Sequence, residues 1–305
     1  MTGGKARIRV ENLLMLCATF FWALGHPLGK IILREVHPFA LGSVTLMIGF
    51  LCLLVYCAAT GRLAMLKRMK GADIGRSFAL GVAGFFCYQI LTFSALQRIP
   101  ASMNAILVAT NPIFIMILAG VLLKERIGIV RAFTILLAGA GVVLVVFNAG
   151  FGMEGRVDLV GCSFSISGAI AFALYSVFGK GVLEKNDPVI VVTLALLSGG
   201  VLLSVLALVT GRAGALVGAS SQAWILMLLL GVGMIGIGYP LWFFCLKRLP
   251  ASQVSVYIYT TPVFAVLLSL LILKERFFWP FWAGAALVLG GIVIANRNPN
   301  RKEAE

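Results

Sequence analysis

The sequence predicts an all-α membrane protein of ten transmembrane helices, arranged as a 5+5 inverted-topology repeat with both termini in the cytoplasm. Three observations carry this expectation. The 305 residues are 61% hydrophobic and 12% charged, about half the roughly 25% charge of a soluble domain. Ten apolar runs approach the roughly 20 residues that a helix needs to cross a bilayer. And one stretch is written twice: "RIPASMNAILVATNPIFIMILAGVLLKER" (Arg98 to Arg126) and "RLPASQVSVYIYTTPVFAVLLSLLILKER" (Arg248 to Arg276) agree at 12 of 29 positions without a gap.

The runs cover about 12–33, 38–58, 75–96, 101–123, 127–147, 159–180, 188–209, 222–245, 251–273 and 278–295. The first follows "KARIR", which mimics the start of a signal peptide. It is too long for one and lacks a small-x-small cleavage site, so it reads as a membrane helix. The second opens at Pro38 and the seventh at Pro188; the fourth and ninth open on "PAS", where a first-turn proline costs the helix no hydrogen bond. Pro112 and Pro262 fall mid-run and each removes an internal bond, which predicts kinks and candidate gating positions. Glycine-rich stretches such as "GVAGFF" and "GVGMIGIG" allow close helix contact. The links are short and leave no room for a separate soluble domain.

The 150-residue offset extends beyond the opening pair. "WALGHPLGK" (Trp22 to Lys30) aligns with "FALYSVFGK" (Phe172 to Lys180), Gly61-Arg62 with Gly211-Arg212, and Phe93 and Leu96 with Phe243 and Leu246. The chain therefore divides into residues 1–148, with helices 1–5, and 149–305, with helices 6–10. Five is odd, so the second unit enters the membrane from the opposite side. Such inverted repeats are typical of secondary transporters. "KER" then closes helix 4 on one side and helix 9 on the other, which predicts a shared role at a helix end. A catalytic role for Glu125 or Glu275 fits poorly with a place at the membrane edge.

The net charge of +14 raises nucleic acid as a partner, but the cations are spread through the loops. With a cytoplasmic N-terminus, 18 of the 25 Lys and Arg fall on the cytoplasmic side. The positive-inside rule then puts both termini there, against anionic headgroups. The expected partners are a small-molecule substrate and the lipid bilayer, with the chain a monomer or weak dimer. The six cysteines lie in apolar runs without a CxxC, so no disulfide framework, metal site or cofactor is expected.

The segment Trp242 to Ile294, its counterpart around 96–147, the paired prolines, the Glu after each long run and the glycine-rich closing helix resemble the drug/metabolite transporter superfamily, in its ten-helix form with two tandem EamA domains. The resemblance spans nearly the whole chain. It implies a transporter of the cell inner membrane; similar proteins export amino acids, including aromatic ones, or carry other metabolites such as sugar phosphates. Many first copies carry an Arg in helix 2, where this chain has Thr45. Small four-helix multidrug members use an intramembrane acid.

All eleven acidic residues here fall in loops, tails or helix ends, which argues against a carboxylate proton relay. His26 is the remaining titratable candidate, on a helix-1 face with Thr19 and Trp22; it either bonds a neighbouring carbonyl or lines the path. Asn104 and Asn111 share a face of helix 4, and unpaired amides in hydrocarbon are costly. Tyr88 and Gln89 in helix 3, Tyr175 in helix 6, Tyr239 and Trp242 in helix 8, and Tyr257 in helix 9 complete the substrate-binding candidates. Lys30 and Lys180 match across the repeat, as snorkelling ends or as carboxylate attractors. The expected activity is export of a small amphipathic metabolite by alternating access, with amino acids of large apolar or aromatic side chain as the leading class. Another metabolite class (sugar phosphate, nucleoside or drug), a passive channel and an intramembrane enzyme are the alternatives.

Overall fold

A computed structural model describes residues 3–124, 158–254, 257–258, 260–275 and 278–297, with scattered positions between 133 and 144. The predicted fifth helix, 127–147, lies largely outside the described residues. All regular structure among the described residues is helical. Seven helices there are long and apolar enough to cross a membrane, and shorter apolar helices accompany them.

The long elements are α1 (Gly3–Ile32), α2 (Pro38–Ala59), α3 (Gly71–Arg98), α4 (Ala101–Leu122), α5 (Leu159–Leu183), α6 (Pro188–Val209), α7 (Ser221–Arg248), α8 (Thr260–Leu273) and α9 (Trp279–Arg297). Bounds recur at the 150-residue offset: α2 matches α6 and α3 matches α7 at both ends. Side-chain acceptors start several helices. His37 Nδ1 accepts from Phe39 N, Asp187 from Val189 N and Ile190 N, and Ser220 Oγ from Ala223 N. Each satisfies amide groups that a helix start leaves free. Gly61 and Gly211 follow α2 and α6, both at φ 69°, a left-handed conformation that glycine adopts without steric cost.

Packing repeats with the elements. α2 and α6 run antiparallel: Gly42 lies against Leu203, Gly200 against Met47, and Cys57 against Thr193. α3 and α5 also run antiparallel, with Arg98 beside Gly161, Thr92 beside Gly168 and Leu80 beside Gly179. The same pairing recurs between α1 and α7, where Trp22 meets Gly238 and Gly25 meets Met234. A second crossing is also duplicated. A side chain at Gly199 would sit 2.7 Å from the Gly81 carbonyl, and one at Gly49 would sit 3.2 Å from that of Gly231. Small residues let these backbones approach, the usual device where lipid provides no hydrophobic drive between helices.

Two features depart from the expectations. Val82–Cys87 in α3 and Leu230–Gly238 in α7 are π-helical, beginning beside the Gly81 and Gly231 crossings. Wide turns of this kind add a residue without ending the helix. The kinks expected at Pro112 and Pro262 take another form. α4 breaks at Ala109–Thr110, and Pro112 stands in the first turn of the renewed segment Asn111–Leu122. Pro262 likewise stands near the start of α8. In these places the missing N–H is free of cost. Pro27, by contrast, sits inside α1 without ending it.

Candidate functional site

Six helices, α1, α3, α4, α5, α7 and α8, converge on one internal cavity of about 40 Å³. They are three pairs related by the offset: α1 with α5, α3 with α7, α4 with α8. Of the ten sequence candidates, Trp22, His26, Tyr88, Gln89, Asn104, Asn111 and Tyr239 line it. Helical spacing brings them in: Trp22 and His26 are four apart on α1, Tyr88 and Gln89 follow the wide turn of α3, and Asn111 opens the second segment of α4.

Asn104 is the polar centre. Its Oδ1 accepts from Ser165 Oγ at 2.7 Å, and its Nδ2 lies 3.3 Å from His26 Nδ1 and 3.5 Å from the Thr92 carbonyl. With Oδ1 accepting, Nδ2 donates, and His26 Nδ1 must be the unprotonated nitrogen. In this arrangement His26 presents an accepting Nδ1 to the Asn104 amide. Both it and Asn104 are buried.

An aromatic cluster forms one wall. Trp22 lies 5.6 Å from Phe172, 5.2 Å from Tyr239 and 5.4 Å from Trp242, and Tyr175 stacks on Phe243 at 4.8 Å. Tyr175 and Trp242, expected to line the cavity, stand in this buried cluster behind Trp22 and Phe172 rather than on the cavity surface. Tyr257 is a correction: it donates to Asn12 Oδ1 at the other end of α1 and does not face the cavity. Its expected place assumed an unbroken α-helix from 251, but Tyr257 and Ile258 are 3₁₀-helical just before α8. Ser165, Met234 and Gly25 were missed. Serine and glycine are so frequent in these helices that only the three-dimensional pairing singles them out.

Several polar atoms at this site have no partner. Gln89 Nε2, Asn111 Oδ1 and Thr261 Oγ1, on residues that line the cavity, are buried and unbonded, as are Trp22 Nε1 against Gly238 and Tyr175 OH and Trp242 Nε1 behind the cavity. A buried polar group left unpaired costs about 1–3 kcal/mol, so a cluster of them marks a place where something else supplies the bond.

At one end of the bundle, Lys30 Nζ donates to the Leu96 and Ile99 carbonyls at 2.6 and 2.9 Å. It closes the end of α3, where cations suit the free carbonyls. Arg98 pairs with Asp158 at 2.9 Å, and Asp158 caps α5 through Gly161 N. Those two partners, the Gly161 amide first, hold the Asp158 carboxyl below its usual range. Glu275 of the second "KER" accepts from Ala101 N and Ser102 N of the first "PAS". Glu125 of the first "KER" lies outside the described residues.

A bundle of membrane-length helices around a buried, polar-dotted cavity with no metal-binding cluster among the described residues is the architecture of an α-helical membrane transporter. The chain belongs to the EamA-like transporter family, which matches residues 9–147 and 159–297. It is 27% identical to an uncharacterized transporter of Archaeoglobus fulgidus, over 91% of this chain and 95% of that protein. It is 27% identical to the uncharacterized transporter YdfC of Bacillus subtilis, over 92% and 89%. The WAT1-related chloroplastic protein At3g02690 of Arabidopsis thaliana is 24% identical over 97% of this chain and 71% of its own. A crystal structure 22% identical superposes with a TM-score of 0.74 over 97% of this chain and 99% of that one, a likeness of fold.

Proposed function

We propose that this transporter exports a small amphipathic metabolite, an amino acid with a large apolar or aromatic side chain, across the cell inner membrane. It does so by alternating access between two inverted halves, residues 1–148 and 149–305, with both termini cytoplasmic. The observation that carries the substrate reading is the set of unbonded polar atoms beside an aromatic wall. Gln89 Nε2 is a donor suited to a carboxylate, Asn111 Oδ1 is an acceptor suited to an ammonium, and Trp22, Phe172 and Tyr239 offer ring surface. Aromatic contacts add about 0.5–1.5 kcal/mol beyond area burial.

A cavity of about 40 Å³ holds about three waters. Ligand pockets run to roughly 300 Å³ or more, so this shape is closed around the site and substrate enters when the helices part. The duplicated antiparallel pairings, α1 with α7 and α3 with α5, support two interconverting halves of like construction. A sugar phosphate would need cations in the cavity, because phosphate recognition is charge-assisted. Lys30 is committed to the end of α3 and Arg98 to Asp158. Proton coupling would need a group that titrates at the site; His26 Nδ1 is engaged by the Asn104 amide.

The test is flux into liposomes. Wild-type protein is expected to move phenylalanine saturably, and Gln89→Leu and Asn111→Ala to slow it while remaining folded. Normal flux in both variants overturns the site; transport of glucose phosphate with phenylalanine ignored overturns the substrate class.

A further inference from the structure

A second, larger space of about 750 Å³ opens between α1, α2, the start of α6 and the last turns of α7. It shares no lining residue with the central cavity. Its two ends differ in chemistry. Arg62, Lys247 and Arg248 form a cationic rim with Asp187 as its one lining acid, while Leu14, Leu53, Ile237 and Leu241 wall the deeper part. Ile237 is 40% exposed and Tyr56 45% exposed, so the space is open along the outside of the bundle.

The rim cations are held in place and keep spare donors. Lys247 Nζ donates one of its three N–H groups to the Asn186 carbonyl at 2.8 Å. Arg248 lies over the Phe244 ring, 3.8 Å from its centroid, with Nη1 3.5 Å from Glu11. Arg62 uses Nη1 on Asp187 and lies over Tyr56. Three cations against two carboxylates, Asp187 and Glu11, leave the rim net positive by one. It also lies on the side that carries 18 of the 25 Lys and Arg.

We infer that this groove binds an anionic phospholipid of the cytoplasmic leaflet, its phosphate at Lys247 and Arg248 and one acyl chain along Leu14, Leu53, Ile237 and Leu241. The leaflet rests on the orientation proposed above. Ile237 lies about 16 Å along the helix from Arg248, at 1.5 Å per residue, a depth that belongs to hydrocarbon. Water there would face leucine walls without hydrogen-bond partners, so an acyl chain fills the space. Basic pockets between membrane helices on the cytoplasmic side suit anionic headgroups in this way. A soluble phosphate would satisfy the rim but leave the apolar wall uncovered.

The test is native mass spectrometry of the purified full-length protein, which reads lipid retention without any transported solute and so separates this inference from the substrate reading. Palmitoyl-oleoyl phosphatidylglycerol is expected to be retained over phosphatidylcholine of the same chains and over glycerol phosphate. Arg248→Gln and Lys247→Gln should each weaken retention about fivefold, the equivalent of about 1 kcal/mol per cation near the membrane surface, and Arg248→Lys should restore it. Ile237→Trp, which fills the groove and leaves the rim intact, should weaken it as well and serves if a rim variant does not fold. Equal retention of phosphatidylcholine, retention of glycerol phosphate as strong as that of the lipid, or unchanged binding in Ile237→Trp overturns the inference.

Discussion

Glu275 accepts the backbone N–H of Ala101 at 2.9 Å through Oε1, and that of Ser102 at 3.3 Å through Oε2. The carboxylate that ends one copy of the repeated sentence caps the helix that opens the other. A helix start has free amides and a partial positive charge, so a carboxylate from another element satisfies both. The two lysines before these glutamates, Lys124 and Lys274, share a left-handed conformation at φ 55° and 54°. The repeated "PAS…KER" thus supplies both partners of a contact between the halves.

Removing that cap should loosen closure at this end of the bundle. Glu275→Ala is expected to cost about 1 kcal/mol, the usual price of a lost N-cap, and Glu275→Gln less, since its amide oxygen still accepts. Thermal unfolding of the purified variants checks this; equal stability of wild type and Glu275→Ala would remove the cap from the account.

The glycine crossings should tolerate nothing larger. A Cβ at Gly199 would lie 2.6 Å from Phe85 Cβ and 2.7 Å from the Gly81 carbonyl. Gly199→Ala is expected to destabilise by about 1–3 kcal/mol through overpacking. Gly75→Ala, where a Cβ meets open space, should be harmless. Unfolding temperatures of the pair decide it.

Much of this site was legible in the sequence because burial in a membrane is selective. Asn104, Asn111, Gln89 and His26 stood out as polar groups in apolar runs, and all four reached the cavity. What hydropathy could not show was local geometry. The π-helical turns arise beside the Gly81 and Gly231 crossings, which are tertiary contacts. The break at Ala109 moved the role of Pro112 from a kink to a helix start. Tyr257 was misplaced because a composition window cannot see that 257–258 leave α-helical geometry. The cap by Glu275 joins residues 174 apart in sequence, and only the repeat hinted that the two motifs belonged together.

Asp158, which stands before α5 and pairs with Arg98 at the end of α3, gives a pH signature. The Asp158 carboxyl titrates below its usual range, chiefly through the Gly161 amide and then Arg98. A depressed folded-state value means its stabilisation is present above the unfolded-state value and is lost as pH falls through the folded one. Asp158→Ala should therefore be less stable than wild type at neutral pH, and the gap should close only below the ordinary carboxylate range. Paired unfolding curves at neutral and strongly acid pH check this; a gap independent of pH would contradict it.

His26 should act by position. With Nδ1 engaged as the acceptor of the Asn104 amide, that nitrogen takes up no further proton in the closed form. Dissipating the proton gradient with a protonophore is expected to leave phenylalanine flux unchanged, while His26→Phe, which strands the Asn104 amide, should slow it. Flux that stops with the gradient would assign His26 a titrating role.

The most direct test of the central claim is phenylalanine counterflow in liposomes holding only the purified protein. Saturable exchange is expected, persisting without a proton gradient and falling in Gln89→Leu. No counterflow of phenylalanine, with glucose phosphate exchanged in its place, would contradict it.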